Sequence, residues 1–346
     1  MKKRFNISAL LIVAILLLVN FICRRNCKAE TAALDVSPMA SHENLEERDI
    51  VIVQFVSASV VGTYMRNFHE NEKHLLLHLN KAALLICSPI SDVLDVQRHL
   101  ITALNWTHVA SYSHIHQYTN GTIEEYVSPR GIRILFQAMH VNLPPKVLQN
   151  HQIKPSCAGR TFQISYALYS GAVFSHHILQ LPIIDKFKVF VKVDADLTFT
   201  QDVSFDIGQK MISQGCSVMH SVLEAVWSGC EDGNLEAIRT FAASTGAQQP
   251  LSDSYEWCNK DMQGKSTSSI IYGNFMGYSR DLIQRIRPLA SWLYYEWQMG
   301  YFVNRWGDQG ASIAFVCYAL DIPDITNDQK VCDFSKLRSN EFIHAG

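Results

Sequence analysis

The sequence predicts an α/β fold with a mainly parallel sheet, carried behind one N-terminal membrane helix. Three observations lead there. Short apolar runs at 50–55, 82–87, 132–138 and 188–193 read as buried strands. Stretches long enough for helices, 69–79 and 162–181, fall between them, and alternation of this kind belongs to parallel sheets covered on both sides. The segment 5–23 contains no charged residue, and a helix of that length rises about 28 Å, close to the hydrocarbon core of a bilayer.

Taken from the start, residues 1–4 (Met-Lys-Lys-Arg) form a short basic tail and 5–23 the membrane anchor. A cleaved signal peptide is the alternative, but the apolar stretch is long and ends in Cys23-Arg24-Arg25 with no small-residue site. Basic residues flank both ends of the span, so the positive-inside rule nearly ties. A short tail before a large C-terminal domain fits a type II orientation in a secretory lumen. Residues 24–47 are polar and weakly patterned, a stem, and 48–346 form the domain. Within it, 236–243, 281–295 and 310–320 also read as helices.

The 346 residues carry 30 Lys+Arg against 32 Asp+Glu, a formal net charge of −2, which disfavours nucleic-acid binding. Asn105-Trp106-Thr107 and Asn120-Gly121-Thr122 are glycosylation sequons if the domain is lumenal. There are nine cysteines. Eight lie outside the span, and the sequence does not choose among their pairings; Cys87 and Cys317 sit in apolar runs as candidate buried thiols.

The most informative run is the strand 189–193, which delivers Asp194-Ala195-Asp196 at its carboxyl end. Ligands of open α/β sheets bind at that end of the strands. Carboxylates two apart in extended chain point the same way, so both can reach one hard divalent cation. Such a cation can bridge a diphosphate and stabilise a leaving nucleotide, the chemistry of nucleotide-sugar glycosyltransferases. A second cluster, 272–281 and 294–309, mixes aromatic rings with Asn274, Glu296, Arg305 and Asp308, a composition suited to stacking on sugars and pairing with their hydroxyls. Burial of an unpaired Glu296 or Asp308 would be costly, which favours a binding role over plain core packing. Arg130 and Arg133, in Pro-Arg-Gly-Ile-Arg, are candidates for a phosphate, with a solvated turn as the equal alternative. His176-His177 reads as structural.

Asn274-Phe275, followed by Gly300-Tyr-Phe-Val-Asn-Arg305-Trp306-Gly307-Asp308-Gln-Gly-Ala-Ser-Ile-Ala-Phe315, resembles the fungal-type Golgi α-1,2-mannosyltransferases, glycosyltransferase family fifteen. The resemblance is clearest over 272–320 and fainter over 188–222. It implies a Rossmann-like GT-A fold, a type II Golgi enzyme, Mn²⁺, and retaining transfer of mannose from GDP-mannose to a glycan, glycoprotein or glycolipid. It also implies His344 as a third metal ligand beside Asp194 and Asp196. In the glycosyltransferase reading Tyr272, Asn274, Arg305 and Trp306 are candidates for substrate contact and Asp308 and Glu296 are the catalytic candidates, with nothing in the sequence assigning which carboxylate acts. Two departures stand out: the family's Glu-Pro-Gly is Asp194-Ala195-Asp196 here, and its Glu after Asn-Phe is Met276. A UDP-sugar donor, a metal-dependent hydrolase and a non-catalytic anchored carbohydrate-binding protein remain the competing readings, and the oligomeric state is open.

Overall fold

The computed structural model describes residues 40–41, 48–149, 155–157, 159–221, 223–225, 234–245, 269–271, 273–297, 301–302, 308–320, 330–335, 337 and 342–344. The tail, the anchor and all but 40–41 of the stem lie outside the described residues; among those described, no helix is long and apolar enough to cross a membrane.

In chain order the strands are β1 (Ala40–Ser41), β2 (Arg48–Phe55), β3 (Ala82–Pro89), β4 (Thr107–His114), β5 (Thr119–Val127), β6 (Arg133–Met139), β7 (Ser156–Cys157), β8 (Arg160–Thr161), β9 (Phe187–Val193), β10 (Leu197–Phe199), β11 (Val218–His220), β12 (Leu223–Ala225), β13 (Ser269–Ile271), β14 (Phe275–Ser279), β15 (Val331–Asp333) and β16 (Phe342–His344). The main sheet has ten strands in the order β1-β4-β5-β6-β3-β2-β9-β14-β11-β15. Its centre, β6-β3-β2-β9, is parallel and is made of the four runs that read as buried strands. On one flank β4, β5 and β6 pair antiparallel; on the other, β14 runs antiparallel between β9 and β11. The sheet is thus more mixed than the sequence predicts.

Successive side chains of β2 enter two different cores, as the two-residue period of a strand requires. Val51 and Val53 face the layer built from α4 (Ile164–Ala167, continued by a π-helical stretch Leu168–Ile178), α6 (Asn234–Thr245), α7 (Arg280–Tyr295) and α8 (Asp308–Leu320). Ile50 and Ile52 face the layer of α1 (Val61–His74), α2 (Val93–Leu104) and α5 (Ile207–Gln214). A short α3 (Pro145–Gln149) completes the helices used here. Helix α5 starts on Asp206, which accepts from the Gln209 amide at 3.0 Å, and stops at Gly215 with φ +68°. There the Cys216–Cys332 disulfide ties the end of α5 to β15. Cys87 is a buried free thiol, as its apolar run suggests; Cys317's side chain lies outside the described residues.

Close packing at β14 leaves no room for a side chain at Gly277. A Cβ there would lie 2.8 Å from the Phe190 carbonyl oxygen of β9, which is backbone and cannot swing away. Gly277→Ala is expected to cost about 1–3 kcal/mol in denaturant unfolding; an unchanged midpoint would show that β14 is free to shift.

The π-helical stretch carries His176 and His177, both fully buried. His176 Nε2 shares a hydrogen bond with the Tyr118 hydroxyl at 2.8 Å and its ring stacks on Tyr294 at 4.4 Å. Burial lowers the pKa of both; His177 comes down from the ordinary 6.5 to about 4. The folded state therefore binds fewer protons than the unfolded state below pH 6.5. This stability is complete above that pH and is lost as pH falls toward 4, by about 3 kcal/mol for His177. Urea midpoints at pH 7.5 and 4.5 should diverge less in His177→Gln than in the parent; equal divergence would refute the assignment.

Candidate active site

The carboxyl end of β9 is built by pairing that no local sequence signal announces. Phe275 of β14 stands opposite Val193, so the residue before it, Asn274, meets Asp194 across the sheet. The Asp194 amide donates to the Asn274 carbonyl oxygen at 2.9 Å. Beyond it the chain turns, the Leu197 amide donating to the Asp194 carbonyl at 3.1 Å, so Asp194 and Asp196 occupy one tight corner. Both are half-buried. Asn274 is buried at 4% exposure, and its side-chain Oδ1 has no hydrogen-bond partner among the described residues. An orphaned buried amide oxygen is costly, which makes it a candidate ligand contact.

Two further segments close on this corner. Strand β16 pairs antiparallel with β10, placing His344 opposite Leu197, the residue after Asp196. Helix α8 packs from the other side: Ser312 shares a hydrogen bond with the Tyr278 hydroxyl at 2.5 Å and donates to Met276 Sδ at 3.3 Å. Met276 is itself buried and stands opposite Lys192. Asp308, the first residue of α8, lies one helical turn before Ser312. Three sequence blocks more than a hundred residues apart at their extremes therefore meet where the sheet presents its carboxyl end.

The sequence reasoning missed Lys192, because a lysine inside a strand reads as solvent-facing. It is 3% exposed, and its Nζ donates to Asp194 Oδ1 at 2.6 Å and to the Gly273 carbonyl while lying 4.6 Å from the centre of the Phe174 ring. Phe174 packs edge-on against Phe55 at the end of β2, and Phe55 stacks on Tyr169 at 5.6 Å. Tyr169 is exposed, so an aromatic shelf leads from solvent to the aspartate corner.

The structure also shows where two other sequence-predicted residues lie. Arg130 lies in the turn joining β5 to β6, at the amino end of the parallel strands; Asp194 and Asp196 lie at the opposite end, about 20 Å along a seven-residue strand. There it pairs with buried Glu72 at 3.6 Å, away from any donor diphosphate at the aspartates. Glu296 is exposed and paired with Lys146 at 2.9 Å, so the cost of burying an unpaired carboxylate gives no argument for it. Tyr272, Arg305 and Trp306 lie outside the described residues, as do the side chains of Asp308 and His344.

The donor set suits a hard cation: two carboxylates in one corner with a buried amide oxygen beside them. Among the described residues, no three His, Cys, Asp or Glu side chains are arranged to hold a metal ion, so a third ligand of those types would have to come from outside them.

No family model matches the chain, and no curated protein matches it. Solved structures do. The mannosyltransferase Ktr4p from S. cerevisiae matches with a TM-score of 0.58 at 12% identity, over 90% of this chain and 74% of that one. Its complex with GDP gives the same score and identity, over 90% and 75%. Core-mannan synthase A (CmsA/Ktr4) from Aspergillus fumigatus, in a Mn/GDP form, matches with a TM-score of 0.58 at 11% identity, over 91% and 82%. Across about nine-tenths of its length, this chain shares the α/β fold of these fungal mannosyltransferases.

Proposed function

We propose that the chain is a glycosyltransferase that moves a hexose from a nucleotide sugar, GDP-mannose first among candidates, to a glycan, glycoprotein or glycolipid. The observation that carries this is the junction of Asp194 with Asn274, which joins the Asp-x-Asp corner to the second motif block at the carboxyl end of β9. The GDP and Mn/GDP states of the structural neighbours support the choice of donor and cation.

In this reading Asp194 and Asp196 hold a divalent cation, Mn²⁺ by preference, with His344 as third ligand. The cation supplies charge that offsets the developing negative charge of the departing diphosphate. Asn274 Oδ1 accepts from a donor hydroxyl, and Tyr272, Arg305 and Trp306 line the sugar. Met276 has no carboxylate to offer and its sulfur is engaged by Ser312. The carboxylate facing the anomeric carbon in a retaining reaction is therefore assigned to Asp308, one turn before Ser312. Glu296 is set aside as a surface ion pair.

The setting proposed is a Golgi membrane in type II orientation, with 1–4 cytoplasmic, 5–23 the anchor, 24–47 the stem and 48–346 lumenal. Both sequon asparagines, Asn105 and Asn120, are exposed. Glycan removal from the chain expressed in a eukaryotic secretory pathway should shift its mass by up to two glycans. Loss of the shift in an Asn105→Gln, Asn120→Gln double variant would confirm those sites, and no shift at all would count against lumenal placement.

The activity test is Mn²⁺-dependent release of nucleoside diphosphate from a panel of nucleotide sugars, with product analysis for transfer to sugar or water. Turnover of GDP-mannose supports the mannosyl reading, and turnover of a UDP-sugar replaces the donor. Transfer to water alone favours a hydrolase. Silence without ligand-dependent stabilisation favours a binding protein.

A further inference from the structure

Large apolar side chains left in solvent are not spread evenly over this chain. Ten are exposed among the described residues, and six of them are held at the carboxyl end of the parallel strands. Ile90 follows β3, and its amide donates to the Met139 carbonyl at the end of β6; Leu94, 71% exposed, stands in the first turn of α2, which starts there. Ile115, 87% exposed, is in the loop joining β4 to β5, and that loop lies at the same end because Thr119 pairs with Met139. Leu148 is in α3, two residues from Lys146, which pairs with Glu296 beside Tyr295. The Tyr295 hydroxyl meets that of Tyr118 at 2.5 Å, and Tyr169 stacks on Phe55 at the end of β2. Ile212, by contrast, lines a cleft with Lys188 and Ser279 at the amino end.

We infer that the carboxyl end of the domain rests on a zwitterionic lipid surface, that of the bilayer holding the anchor proposed above, on which placement the inference rests. From the β4–β5 loop to Tyr169 at the end of β2 the apolar group crosses five neighbouring strands, about 19 Å. That is broader than one acyl chain or one apolar aglycone covers, so the occupant is a surface rather than a single molecule. The stem says which surface. Its described residues, Ala40 and Ser41, pair with Tyr112 and Ser113, so the tether meets the domain two positions from Ile115. Only 16 residues, 24–39, separate that point from the apolar run 5–23, about 22 Å as a flexible coil and at most about 55 Å extended. A domain on so short a lead meets the bilayer continually. Burial of Leu94 and Ile115 favours this orientation over the opposite one by more than about tenfold. The tyrosines suit the boundary, since an aromatic body can face lipid while the hydroxyl stays hydrogen-bonded. Asp92 and Asp95 flank Leu94, and Lys146 is paired with Glu296, so this end has no basic excess and no need of anionic lipid. In the glycosyltransferase reading, acceptors seated in the membrane are the ones presented to the aspartate corner.

The test reconstitutes the full-length chain in phosphatidylcholine vesicles, with a benzophenone amino acid in place of Leu94, Ile115 or Ile212. Ultraviolet light should label phosphatidylcholine from 94 and 115 at least about tenfold more than from 212. Added salt or phosphatidylserine should leave that ratio unchanged. Equal labelling at the three positions overturns the inference, as do cross-links from 94 and 115 to a second copy of the chain in place of lipid. With benzophenone at 115, the surface changes Ile90→Glu and Leu94→Glu should together cut lipid labelling about tenfold; undiminished labelling would show that the tether alone brings the loop to the bilayer, and overturns the inference too. Alkaline carbonate separates the failures. A chain stripped from the vesicles lacks the anchor, which overturns placement and inference together; a retained chain with equal labelling overturns the inference alone. Sugar transfer enters none of these readouts, so a failed activity assay leaves them standing.

Discussion

Replacing either aspartate of the corner is expected to reduce sugar transfer by on the order of 10³-fold, while the two variants separate in stability. Asp196→Ala should lower the unfolding midpoint less than Asp194→Ala, which breaks the pair with buried Lys192. Asp194→Ala removes the carboxylate that pairs with buried Lys192 at 2.6 Å. Loss of this largely buried ion pair should lower stability by about 2 kcal/mol, allowing for the partial exposure of Asp194. Activity measured under saturating Mn²⁺, beside urea unfolding of the same preparations, checks both halves. Full activity in Asp196→Ala would remove it from the cation set, and equal stabilities would show that Lys192 finds another partner.

The second large effect is expected at the Cys216–Cys332 bridge, which closes 116 residues. Constraint of so long a loop in the unfolded chain corresponds to about 5 kcal/mol in the chain-entropy account. Paired Cys216→Ala and Cys332→Ala replacement should therefore shift the denaturant midpoint strongly, and reducing agent should reproduce the shift in the parent. The effect should reach the site, because Cys332 lies on β15, the strand that precedes β16. A loss of metal-dependent activity larger than the unfolded fraction explains would reveal that coupling. A reductant-insensitive midpoint would mean that the bridge constrains little.

The parts of the fold legible in the sequence are those whose burial is uniform. Strands β2, β3, β6 and β9 are covered on both faces, and their unbroken apolar runs say so. Strands β4 and β5 were not legible. In β4, Thr107–His114, the residues are exposed or half-buried until His114, so no period-two pattern emerges from a string of Thr, His, Ser and Ala. The first helix was misplaced for a related reason. It begins at Val61, where Val60, Val61, Gly62 and Thr63 disfavour a helix, and it ends at His74, within the stretch the pattern marked. Five-residue β14 carries no local signal of its antiparallel place, yet that place brings Asn274 to Asp194. The aspartate corner could be read because strand end and carboxylates are adjacent in sequence. Arg130 could not be placed, since a basic turn looks the same at either end of a sheet.

The pairing of β10 with β16 carries a consequence for how the protein is made. Thr198 and its partner Ile343 are 145 positions apart, so translation at about 5–20 residues per second separates them by on the order of ten seconds. Through that interval the ribosome has delivered both aspartates and β10, but the edge that β16 will cover stays open. A nascent chain caught in this window displays an unpaired strand beside two acidic residues, a point where chaperones have something to hold. Completion of the corner thus waits on β16, however early the central strands condense.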